Sequence, residues 1–131
     1  MDEKEPTQAA VRLNIEFVKE IQKNANSLAN RASAVVIDEE RGLGFELTDE
    51  SRSEAVTLFM TLKAMSVLID WILESQEEFE GAVVPGSESG KAEKNTCLVP
   101  APTLLKIVEC TRISNEAQDA LEKHGISLAL H

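Results

Sequence analysis

Tyrosine is absent, and one tryptophan and four phenylalanines are the only aromatic rings in a chain of 131 residues. A core without rings is built from Leu, Ile, Val and Ala, which suits packed helices better than a β-sandwich. Cysteine is scarce too. Cys97 and Cys110 are too few for a disulfide framework. Positive charge is in short supply: 13 basic residues face 23 acidic ones, for a net charge of −10. That balance disfavours direct nucleic-acid binding, because phosphate binding needs a basic surface. It equally disfavours anionic membranes. The first residues, MDEKEPTQ, are acidic and polar, unlike a signal or transit peptide. A soluble cytoplasmic protein, or one that meets a basic partner, is the expectation.

Length indicates one domain, large enough to bury a core without metal or disulfide. Residues 1–6 read as a disordered tail and 7–131 as a single helical domain. Val11, Ile15, Val18, Ala25, Ala29 and Ala32 recur at helical steps and predict a helix over about 7–32. AVVID and GFEL, separated by a glycine-bearing stretch, predict either a short β-hairpin or an extended loop at about 34–47. Ser51 and Glu54 have capping-box spacing, with Thr48, Asp49 or Ser51 as the N-cap of a helix running to about Glu78.

The 55–73 stretch of that second helix is apolar nearly all round. It is long enough to cross a bilayer, but Lys63 and Asp70 inside it argue against a membrane span. A helix apolar on most sides must be covered on most sides, which points to a homodimer through this segment. Residues 81–102, rich in proline, glycine and serine, read as a long mobile linker. A third helix starts near Pro102, with Gly125 just past its end. The expected fold is therefore mainly all-α, three long helices in a small antiparallel bundle.

No chemical motif survives inspection. VVPGSESGKAEK, Val83 to Lys94, superficially resembles a phosphate-binding loop. Gly86 stands one residue too close to Gly90, Pro85 occupies the proper glycine position, and Ala92 replaces the Mg²⁺-binding hydroxyl. Cys97, Cys110, His124 and His131 are separated by twelve, thirteen and six residues, without the close pairs that structural zinc sites use. Cys97 is the one candidate for an exposed thiol, and nothing in the sequence orients a histidine toward it. The expectation is a protein without catalytic residues, metal or cofactor.

Charge distribution carries more information. Residues 38–54 hold seven acids and two bases, and residues 70–80 hold five acids and no base. Acidic rims around an apolar helix suit capture of a basic protein surface. Asp38, Glu39, Glu40, Glu46, Asp49 and Glu50 are the expected partner-binding residues of an interaction module that regulates, inhibits or escorts its partner. The competing reading is a helical dimer holding a small-molecule ligand or substrate between helices, with Lys63, Asp70 and Trp71 lining the interface or pocket.

Overall fold

Three helices and one two-stranded ribbon make up the computed structural model, which describes residues 9–44, 46–79 and 95–128. The strand β1 (Ala10–Asn14) leads directly into α1 (Ile15–Glu40). Then come α2 (Asp49–Glu74), a 3-10 turn at Gln76–Phe79, β2 (Thr96–Pro100) and α3 (Ala101–Lys123). The ion pair Glu39–Arg52 and the Gln22–Asp70 hydrogen bond, at opposite ends, set α1 antiparallel to α2. Thr111 against Met65 and His124 near Glu50 do the same for α3. Both flanking helices pack chiefly on α2, so the expected small, mainly helical bundle is present with α2 as its spine.

The first helix begins and ends later than its periodicity suggests. Ala10–Asn14 pairs antiparallel with β2, Arg12 opposite Leu98, so its backbone groups go to a ladder rather than to a helical turn. Asn14 ends the strand. Its side chain accepts from the N–H groups of Glu16 (2.8 Å) and Phe17 (3.2 Å), an N-cap that starts α1. At the other end the hairpin or loop expected at 34–47 is replaced by helix as far as Glu40. The β-branched run stays helical because Val36 and Ile37 border Ala55, Val56 and Phe59 of α2, so packing overrides propensity. The glycine-bearing turn is a helix stop instead. Gly42 takes φ +75°, its N–H reaches Glu39 O (3.0 Å), and Leu43 N–H reaches Asp38 O (2.7 Å). That is the Schellman pattern, and a residue with a Cβ would be strained there.

The start of α2 is capped by Thr48, whose hydroxyl accepts from Ser51 N–H at 3.0 Å while Ser51 Oγ accepts from Thr48 N–H at 2.8 Å. The reciprocal pair is therefore Thr48–Ser51, not Ser51–Glu54. On α1, Val18, Ala25, Ala29 and Ala32 are buried against Ala55, Leu58, Leu62, Met65, Ile69 and Ile72 of α2. Alanines at this seam let the two backbones approach closely. At the end of α3, Gly125 is the C′ residue as expected, with Ile126 N–H returning to Leu121 O (2.9 Å). Ile126 and Leu128 pack into the core, and Leu128 O accepts from Arg31 Nη1 (3.0 Å).

The linker expected at 81–102 is not continuous to its end. Its last residues form β2 and the first turn of α3. Residues 80–94, which include the glycine-lysine stretch, lie outside the described residues, as do the 1–6 tail and His131. The outer edge of β2 is closed by a side chain. Ladder bonds fall at the odd-numbered positions of β2, since Asn95 O and Ala101 N–H bond across to Ile15 and Ala9. The N–H and C=O of Leu98 therefore face away from β1. Gln76 meets them, with Oε1 accepting from Leu98 N–H (2.7 Å) and Nε2 donating to Leu98 O (2.9 Å). One side-chain amide thus stands in for a third strand.

Candidate functional site

At the α1–α2 end, the expected acidic residues are assembled into a corner. Asp38, Glu39 and Glu40 occupy the last turn of α1, Glu46 the connection, and Asp49 and Glu50 the first turn of α2. Carboxylates in the last turn of a helix face the negative end of its dipole, and each costs about 0.3–1 kcal/mol there. No basic residue in the last turn of α1 offsets them. Glu39 is the exception in being tied down. Both its oxygens accept from Arg52 Nη2, the second at 3.0 Å, and this holds the guanidinium pKa above its usual value. Arg52 also lies 3.6 Å from Asp49. Asp38, Glu40, Glu46 and Glu50 are exposed, with only His124, 3.9 Å from Glu50, approaching from α3. Leu43 and Ile37 project beside them, 61% and 41% exposed. The arrangement sets exposed carboxylates beside two exposed apolar side chains, with Arg41 and Arg52 the basic residues among them.

Lys63, Asp70 and Trp71 are all exposed on α2, and each makes a contact of its own. Lys63 Nζ lies 6.0 Å from the Phe59 ring centroid. Asp70 accepts from Gln22 Nε2 at 2.6 Å, locking α2 to α1. Trp71 meets Phe79 edge to face, with centroids 5.3 Å apart. Phe79 in turn packs with Ala10 and Leu98, so the ribbon braces Trp71 from behind.

Two apolar surfaces stand out, of which only the second is legible in the sequence. The first is a groove between α1 and α3, floored by Ile69 and Ile72 of α2, with a volume of about 500 Å³. Phe17, Ile21, Ile107 and Val108 wall it, and Thr111, Arg112 and Asn115 stand at one end. A second hollow of about 340 Å³ continues it past Ile21 and Ile107 toward Leu28. Ser114 lines this hollow, and its buried Oγ has no hydrogen-bond partner among the described residues. Arg112 is committed to Glu109 and Glu116 on its own helix, which raises its pKa and lowers that of Glu109. The second surface is the outer face of α2, where Val56, Met60, Val67 and Trp71 are exposed. By length and composition this helix could cross a membrane, yet it is the helix on which α1 and α3 pack.

The thiols are quiet. Cys97, expected in an exposed linker, is buried in β2, because it and Val99 face the main core while Leu98 packs with Ala10 and Phe79. Burial pushes its pKa up, and burial with Glu109 nearby does the same for Cys110. Neither has the electropositive, accessible setting of a nucleophilic cysteine. Among the described residues, no group of His, Cys, Asp and Glu is placed to hold a metal ion. Comparison with family models, curated proteins and solved structures finds no match to this chain.

Proposed function

We propose that this protein is a non-enzymatic interaction module that holds a basic surface of a protein partner at its acidic corner, and so regulates, inhibits or escorts that partner. One observation carries the reading: Asp38 and Glu40 stand exposed at the end of α1, where the helix dipole penalises them and, unlike Glu39, no ion pair among the described residues ties them down. A local rule broken at a stability cost marks a position kept for something other than folding. Rigid helices hold the carboxylates in place before binding, which limits the entropy lost on association. The test is the triple variant Asp38→Lys, Glu40→Lys, Glu46→Lys. It should melt no lower than the wild type, because two lysines now suit the helix end. In affinity capture from lysate of its own source it should lose a basic protein that the wild type retains and releases with rising salt. Equal retention by both proteins would refute the reading.

The groove between α1 and α3 favours a second reading, a site for an elongated apolar small molecule. Its volume falls in the range of ligand pockets, its walls are apolar, and its few polar groups gather at one end.

A further inference from the structure

Only 33% of the most apolar stretch of α2 is buried. Met60 and Val67 are 63% and 65% exposed, and Trp71 is 43% exposed. With Val56 and Ala64 they recur at steps of four, four, three and four residues, which places them on one stripe. At about 1.5 Å per residue the stripe is about 22 Å long, four helical turns. Acids bound it at both ends: Asp49 and Glu50 at the start, Glu74, Glu77 and Glu78 at the finish, all exposed. Asp49 and Glu50 also belong to the acidic corner, so stripe and corner are one continuous surface.

The charge at the ends bears on what can cover the stripe. A second copy that paired the whole stripe, end to end, would set acid against acid. Paired parallel, Asp49 and Glu74 would each meet themselves. Paired antiparallel about Lys63 and Ala64, Asp49 and Glu50 would face their counterparts' Glu77 and Glu78. Each chain also brings a net charge of −10. A helix that is apolar along one side and cationic at both ends meets none of this repulsion.

We propose that the outer face of α2 docks an amphipathic helical segment of another protein, about four turns long, with an apolar stripe and Lys or Arg in its first and last turns. The proposal rests on the reading of the protein as a holder of a basic partner, and it adds the desolvated contact that the corner lacks. Trp71, braced by Phe79, is the rigid anchor. Met60 supplies an adaptable contact.

Trp71 is the sole tryptophan and reports directly on the stripe. The probe is a synthetic helical peptide of about 18 residues, with leucines on one face and lysines at both ends. One control has the same composition with its leucines scattered, and another has glutamates for the lysines. Binding is read by titration calorimetry, and cover of the stripe by tryptophan emission. The expected result is a blue shift and affinity about tenfold above the scattered control, no binding of the glutamate peptide, and a loss of about tenfold in Met60→Ser/Val67→Ser. Both positions are exposed, so that variant keeps its fold, which circular dichroism checks. Binding without an emission change, weakened by the Asp38/Glu40/Glu46 reversal but not by Met60→Ser/Val67→Ser, overturns the docking face and leaves the corner standing. No binding of any cationic peptide removes both. A blue shift that grows with protein concentration alone makes a second copy the occupant and overturns the proposal, as does equal binding of the scattered peptide.

Discussion

Replacing Gln76 with leucine removes a partner from both the N–H and the C=O of Leu98. Leu98 is 6% exposed, so water cannot take over. A buried N–H or C=O left unpaired costs about 1–3 kcal/mol, which makes the pair worth about 2–6 kcal/mol. A third bond, from Gln76 Nε2 to Ile72 O at 2.7 Å, is also lost, but that carbonyl sits at a helix end where other donors can reach it. The unfolding entropy of a domain this size, about 2.1 cal/mol/K per residue, converts 3 kcal/mol into a fall of about 10 °C in melting temperature. Thermal melts followed by circular dichroism measure it. Gln76→Glu should fall between the two proteins, because it keeps an acceptor for Leu98 N–H but sets a carboxylate against Leu98 O. Trp71 emission should also move in Gln76→Leu, since Leu98 packs on Phe79 and Phe79 on Trp71. A melting temperature within 2 °C of wild type, on the order of the smallest shift one kcal/mol produces, would refute the idea that this amide replaces a strand.

Two further outcomes are expected. Ile107→Trp fills the stretch shared by both hollows between α1 and α3, so an apolar fluorescent dye taken up by the wild type should be excluded by the variant, and equal uptake would dismiss the ligand reading. Burial raises the Cys97 pKa from its ordinary 9.0, so the folded chain keeps a proton that the unfolded chain releases. Stability from this source is complete below pH 9.0 and declines as pH rises past it. The decline should be shallower in Cys97→Ala, and identical slopes would show that the thiol is not the cause.

The second and third helices are legible in the sequence because periodicity, caps and the C′ glycine agree there. The first is blurred at both ends for different reasons. Ala10, Val11 and Leu13 suit a strand or a helix equally, and their partner strand lies far along the chain. Val35, Val36 and Ile37 favour a strand locally but are held helical by α2. β2 hides in a segment whose composition is that of a linker, and with it hides the burial of Cys97. The acidic corner could be read from charge alone, since adjacent residues supply it. The α1–α3 groove could not, because it depends on how far two helices that both lean on α2 stand apart.

The ribbon has a consequence for how the chain reaches this state. Arg12 and Thr96, which bond across it, are 84 residues apart. Closing so long a loop costs about 4 kcal/mol of chain entropy, whereas α1 and α2 meet through a short connection. The helical hairpin can therefore assemble first, and the ribbon closes as a late event. During synthesis at about 5–20 residues per second, β1 waits several seconds for its partner to emerge. Throughout that interval its edge is open and Phe79, which meets Trp71, lacks its packing on Leu98. Anything that recognises the apolar side of α2 has its widest access to the newborn chain, before the last helix is made.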